Sequence, residues 1–315
     1  MCVMRAVVVR EFGGPEALEL AEVARPEPGA GGVRVRVEAA GVNPVDAVTR
    51  AGVLAGAGLM ARREVTGIGW DVAGVVDAVG PGVTGFAPGQ RVIGLRDRLD
   101  VDLGTYADFA VLDAAALAPV PDGLAPHEAA TLPLNGLTAL QALDLLDLPA
   151  GATLLVTGAA GAVGGFAVEL AALRGLRVVA LAGQGDEALV RGFGAEWFVP
   201  RDVPDPAAAV RELVPGGVDG AVDAALLGVR ALGAVRGRGA FVAVAGGSEP
   251  VGLRGIRVAN VWITADGPAL AHLARLAADG RLSLRVADTL PLARAAEAHE
   301  RLAKGGLRGR LVLTP

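Results

Sequence analysis

The stretch Leu154–Gly175, LLVTGAAGAVGGFAVELAALRG, constrains the fold more than any other part of the chain. A strand-like apolar run passes through Gly158-Ala159-Ala160-Gly161-Ala162-Val163-Gly164 into a helix-like run, and the first charge is Glu169. The GxxGxxG spacing is a variant of the dinucleotide fingerprint. A glycine permits the tight turn and close approach of main chain to a pyrophosphate, and a later one lets the helix pack near the strand. The helix start offers N–H groups and a positive dipole end to phosphates. All seven residues are therefore expected at a cofactor. A plain strand-to-helix turn would carry glycines too, so the surroundings decide.

Those surroundings alternate. Helix 126–147, strand 153–157, helix 162–174, strand 176–181, helix 186–193, strand 196–199, helix 205–213, strand 218–223, helix 228–236 and strand 240–244 follow one another, with VWIT at 261–264 as the last strand. Such alternation predicts a parallel sheet wound by right-handed crossovers. Residues 3–120 differ: MRAVVV, GGVRVRVEAAGV, VAGVVDAVG and RVIGL are short valine-rich runs between turn residues. The alternation in RVRVE predicts one charged, wet face. GPALAHLARLAADG predicts a helix stopped by Gly280, and the tail beyond it reads strand, helix, strand.

Composition removes other classes. Of 315 residues, 52% are hydrophobic and 20% charged, which supports a packed core rather than disorder. A net charge of −5 and a single tyrosine argue against nucleic acid as a partner. Cys2, the only cysteine, cannot build a disulfide framework or a multi-cysteine zinc site. MCVMRAVVVREFGG lacks a signal-peptide core, and no apolar run free of charged and hydroxyl residues reaches the ~18 residues of a membrane span, so a cytoplasmic location is expected.

Cofactor choice is read at the end of the second strand, where an acid disfavours a 2′-phosphate. LRVVALAG ends at Ala182-Gly183 with no acid on the strand itself, although Asp186 and Glu187 follow. The expectation is NADPH rather than NADH, with Gly183 at the ribose and Arg201 either on the 2′-phosphate or a plain surface residue. Ala245 and Gly246 end a later strand where main chain would meet the nicotinamide. Asp223 either reaches the nicotinamide ribose or caps a turn.

The segments MRAVVVREFGGPEALELAEV, AGVNPVD, GWDVAGVVDAVGPGVTGFAPGQRV, GTYADFAVLD, VTGAAGAVG and GLRGRLVLTP resemble the zinc-independent medium-chain dehydrogenase/reductases, in particular the quinone oxidoreductases similar to zeta-crystallin. The resemblance implies an α/β fold: a GroES-like β domain (residues 1–120 and 267–315) interrupted by a Rossmann doubly wound parallel sheet (121–266), with the active site in the cleft between them. It also implies a homodimer joined near 260–264. Zinc members of the superfamily carry a cysteine where this chain has Asn43, and a His-Glu pair where it has Trp70-Asp71. No metal is therefore expected. Hydride delivery to a quinone or an α,β-unsaturated carbonyl remains, with Asn43 and Asp46 lining the cleft, Asn43 donating to a developing enolate oxygen, and Arg50 either holding the cleft loop or meeting an anion. By spacing alone, Asn43-Pro44 is turn chemistry and Asp46 a helix cap. Enoyl thioester reductases of this branch use a tyrosine just after NPxD; here AGVLAGAGLM has none, so solvent is left as the proton source. The only tyrosine, Tyr106, and His299 read as packing residues. Two alternatives stand beside the main reading: a biosynthetic ene-reductase acting on a polyketide-like intermediate, and a non-catalytic NADP(H)-binding module.

Overall fold

A computed structural model describes residues 2–315, which divide into two compact units. The first comprises the chain up to Leu134 together with Thr264–Pro315, and the second is Asn135–Ile263.

In the first unit, period-two valine runs build antiparallel sheets. Strand Gly32–Gly41 pairs with Asp71–Val79 and Phe109–Asp113, and at its end with Arg310–Thr314 (Val312 opposite Gly41, Leu313 opposite Ala40). Chain-terminal residues thereby complete a sheet begun near the start. Val3–Val9 pairs with Glu19–Ala24 and Thr66–Gly67 in a smaller sheet. Val33, Val35, Val37, Val72, Tyr106, Leu311 and Leu313 fill the core. The wet face expected of RVRVE is only partly wet. Arg36 is exposed, but Arg34 is buried, its guanidinium 2.6 Å from both Asp77 and Glu27, which supply the charge that burial demands.

The second unit is a six-stranded sheet in the order Trp197–Pro200, Arg177–Ala182, Thr153–Thr157, Val218–Asp223, Val235–Ala243, Arg257–Asn260. Every neighbouring pair is parallel. In chain order this is 3-2-1-4-5-6, the doubly wound Rossmann order, whose switch point lies between Thr153–Thr157 and Val218–Asp223. Thr153–Thr157 is buried throughout, as a central parallel strand requires.

Four elements differ from expectation, one being the strand over 240–244, which begins at Val235 and ends at Ala243. The helix over 126–147 is two, Pro126–Ala129 and Pro133–Leu146, because proline bars the preceding residue from continuing a helix. The helix over 228–236 stops at Leu232, since Val235 already pairs with Val218. The last strand is Arg257–Asn260, not 261–264. Its partner ends where Ala243 meets Asn260, and only Val261 N–H reaches back, to the Ala243 carbonyl.

Leu155 lies at the centre of that sheet with no exposed surface. Leu155→Ala is expected to cost about 2–5 kcal/mol of unfolding free energy, read by chemical denaturation.

Candidate functional site

Strand Thr153–Thr157 delivers the glycine stretch to the carboxyl edge of the sheet. Gly158 turns the chain with φ +60°, and Gly161 N–H donates to the Gly158 carbonyl at 2.8 Å. Helix Ala162–Leu173 then starts directly on the loop: a Cβ on Gly164 would lie 2.1 Å from Gly158 O. Ala159 N–H donates to Leu181 O at 3.1 Å, so the loop is fastened to the second strand as well. Ala159 and Ala160 are buried, Gly161 is exposed, and Ala162 and Val163 are half-buried. The surface offered to a ligand is therefore main chain and small side chains at a helix start, whose first N–H groups have no acceptor four residues back. These residues fit a dinucleotide pyrophosphate: Gly161, Ala162 and Val163 would hold it, and the bound dinucleotide would supply a hydride.

Thr157 and Asp223 close the switch point. Thr157 Oγ1 donates to Asp223 Oδ1 at 2.6 Å and accepts from Ala225 N–H at 3.0 Å. The Asp223 carboxylate also accepts from the N–H groups of Leu227 (3.1 Å) and Gly228 (2.7 Å). Of the two readings of Asp223, the turn cap is the one observed. Thr157 went unnoticed in the sequence; its signal is a hydroxyl ending an otherwise apolar strand.

Two further cofactor expectations meet partners already in place. The Ala245 carbonyl accepts from Asn260 Nδ2 and Ser248 Oγ, both at 2.6 Å. A Cβ on Gly246 would lie 2.9 Å from the exposed Trp262 ring. At the second strand, Arg201 N–H donates to the Ala182 carbonyl at 2.7 Å, which brings Arg201 beside Gly183. An acid is there too: the short turn Gln184–Asp186 folds back, with Asp186 N–H on the Gly183 carbonyl at 2.8 Å and the side chain buried. The strand tip is thus not without a carboxylate.

In the first unit, Asn43, Asp46 and Arg50 fall in one buried polar network at helix Pro44–Arg50. Asp46 Oδ2 accepts from Asn43 N–H at 2.7 Å and from the Tyr106 hydroxyl at 2.9 Å. Asn43 Nδ2 donates to Asp71 Oδ2 at 2.7 Å and faces the Gly41 carbonyl at 3.5 Å. The amide hydrogens meant for an enolate therefore point at protein acceptors. Arg50 holds the Gly13 carbonyl and His299 Nδ1, both at 3.1 Å. An arginine only donates, so Nδ1 accepts and the His299 proton sits on Nε2. Burial and the Arg50 charge push His299 down to about 4, keeping it neutral. Tyr106 meets the His299 ring edge-on, with centroids 6.0 Å apart, and links the two halves of the network.

Asp71 is the member that sequence reasoning took only as a substituted metal ligand. Its other oxygen accepts from Leu134 N–H at 2.7 Å. Burial raises Asp71 and Asp46 to about 7 each, against hydrogen bonds and the Arg310 charge that favour ionisation. The substituted positions do not fit zinc. Asn43 and Trp70 present an amide and an indole, Asp71 spends both oxygens on N–H donors, and among the described residues no group of three His, Cys, Asp or Glu could hold a metal.

Two family profiles match: "Alcohol dehydrogenase GroES-like domain" over residues 29–122 and "Zinc-binding dehydrogenase" over 193–313. The second span contains neither Asn43 nor Trp70-Asp71. Erythronolide synthase EryA2 of Saccharopolyspora erythraea is 43% identical over 168 residues, 53% of this chain and 4% of that protein. The quinone oxidoreductase of Pseudomonas aeruginosa is 36% identical over 207 residues, 65% of this chain and 61% of its own length. The matched stretch thus spans less than two thirds of these relatives. A solved NAD-dependent alcohol dehydrogenase is similar throughout: 34% identity, 99% of this chain, 100% of that one, TM-score 0.88.

Gly164→Ala is expected to weaken dinucleotide binding at least about tenfold, because its methyl would press on Gly158 O; Gly161→Ala, whose methyl would sit 3.0 Å from the same atom, should weaken it less. Calorimetric titration reads both. A second expectation concerns pH. The folded chain holds protons on Asp46 and Asp71 that the unfolded chain releases near 3.8, so stability falls as pH rises from 3.8 to about 7 and levels off above. Asp71→Asn should flatten that slope in denaturant titrations across the window.

Proposed function

The chain belongs to the medium-chain dehydrogenase/reductase family, and from that premise we propose that this oxidoreductase transfers hydride from a nicotinamide dinucleotide to quinones or α,β-unsaturated carbonyls. The main-chain lip Gly161–Val163, at the carboxyl edge of the doubly wound sheet, carries the reading. A redox dinucleotide is the ligand whose pyrophosphate such a lip suits. Conjugated acceptors take hydride at carbon because the charge moves to oxygen, so no metal has to polarise them. The resemblance to quinone oxidoreductases supports that acceptor class.

Asn43, Asp46 and Arg50 serve this reaction as positioning residues: Asn43 holds Asp46 and Asp71, and Arg50 holds Gly13 and His299. With Tyr106 hydrogen-bonded to Asp46 and buried, solvent supplies the proton. NADPH is favoured by Arg201 and by the absence of an acid on the strand itself; Asp186 stands against it. The similarity to a polyketide synthase favours a second reading, an ene-reductase acting on polyketide-like enoyl thioesters. A cytoplasmic location fits the described residues, in which no helix is long and apolar enough to cross a membrane.

The proposed assembly is a homodimer. Strand Arg257–Asn260 ends its sheet with one edge unpaired, a template for a second copy. Beside it a 440 Å³ groove is lined by Gln141, Asp144, Leu145, Asn260, Val261 and Trp262, the last 64% exposed. Trp262→Asp is expected to shift the mass in light scattering from dimer to monomer.

Turnover is tested by following loss of reduced-nicotinamide absorbance with naphthoquinones, simple enones and enoyl thioesters. Consumption with quinones supports the main reading; consumption with enoyl thioesters alone supports the second. Tight dinucleotide binding without turnover of any acceptor would leave a binding module in place of an enzyme.

A further inference from the structure

One stretch of the first unit departs from the burial that apolar runs show elsewhere in the chain. Residues 51–61, AGVLAGAGLMA, are eleven in a row without a polar side chain, and none of them is buried. Val53 is 56% exposed and Leu59 44%. A methyl on Gly56 or Gly58 would meet nothing within 4 Å, so the turn stands clear of the rest of the protein. An exposed apolar run of this kind marks a contact with something else.

The stretch is nevertheless well tied. Helix Val53–Gly56 and the turn after it close on themselves: the N–H groups of Gly56, Ala57, Gly58 and Leu59 donate to the carbonyls of Gly52, Val53, Ala55 and Leu54 at 2.9–3.1 Å. Gly58, with φ +74°, is the left-handed residue that ends such a helix. Both feet rest on one ring. A Cβ on Gly52 would lie 2.5 Å from Phe12 Cδ2, and the Arg62 guanidinium sits 5.6 Å from the centroid of the same ring. Arg63 is held by Asp102 at 2.9 Å and by the Leu99 carbonyl at 3.0 Å. The result is an apolar knob on a cationic foot.

These features decide what covers it. A turn whose N–H groups are paired internally can enter hydrocarbon, where an unpaired one is heavily penalised. A protein partner would need polar side chains to fix its register, and the knob has none. Arg62, exposed and without a carboxylate partner among the described residues, stands at the foot, where an inserted knob meets phosphate headgroups.

We propose that residues 51–61 are a membrane-surface contact: Val53 and Leu59 enter the edge of the acyl layer reversibly, and the chain lies on a lipid bilayer without spanning it. Two aliphatic side chains and one cation give weak, exchangeable binding. The use of the contact rests on the quinone reading above: it brings the enzyme to acceptors that dissolve in lipid, the long-chain quinones.

Co-flotation of the full chain with phosphatidylcholine–phosphatidylglycerol vesicles tests the contact without cofactor or acceptor. A fraction of the wild type is expected to float, and Val53→Asp combined with Leu59→Asp should lower the bound-to-free ratio at least about tenfold. Serine at both positions repeats the test if the aspartate variant does not fold. Loss of reduced-nicotinamide absorbance then tests the use. The double variant should lose turnover of a long-chain quinone carried in vesicles and keep that of a water-soluble naphthoquinone. Wild type that stays with the unbound fraction, or flotation unmoved by both pairs of substitutions, overturns the proposal. Equal loss of both quinones also overturns it, because the residues then act at the acceptor and not at a membrane. Flotation that depends on Val53 and Leu59, with turnover of no quinone, upholds the contact and overturns the quinone reading alone.

Discussion

The Gly158 carbonyl occupies the space that any side chain on Gly164 would need, and from this constraint the nucleotide-binding half follows. It sets how near helix Ala162–Leu173 stands to strand Thr153–Thr157, and hence where the helix's free N–H groups begin. Packing of main chain on main chain leaves no room for adjustment by rotamer, so the geometry is fixed by residue type alone. Thr157 and Asp223 then brace the neighbouring strand end, and Ala159 ties the loop to the strand on the other side.

The first unit answers a different problem. It buries an amide, two carboxylates, a phenol, an imidazole and two guanidinium groups around one short helix. Hydrogen bonds satisfy most of their atoms, which is the condition for keeping such groups inside. Asp71 is the hub: it accepts from the Asn43 amide and from Leu134 N–H, and so ties the start of one helix, the start of another and the end of a strand together.

Much of this was legible in the sequence. The parallel unit was readable because each strand is a short apolar run and each helix start carries a turn signal; Thr153–Thr157, Val218–Asp223 and Pro206–Leu213 lie within a residue of their expected bounds. Errors arose where a partner decides. Residues 261–264 look like a strand, but the neighbouring strand stops at Ala243. Arg34 looks wet, but Asp77 and Glu27 cover it. In the candidate site, the glycine loop was visible because its chemistry is local. The carboxylate under Gly183 was not, since only the fold-back at Gln184–Asp186 brings it there. The direction of the Asn43 amide was equally hidden, because Asp71 lies on another strand.

Pairing of Arg310–Thr314 with Gly32–Gly41 bears on how the polypeptide matures. During synthesis the Rossmann half emerges as one contiguous stretch and can condense as soon as it leaves the ribosome, whereas the β half must wait with an open edge for its closing strand. Until that strand arrives, the end of Gly32–Gly41 at Ala40 and Gly41 lacks its last antiparallel neighbour.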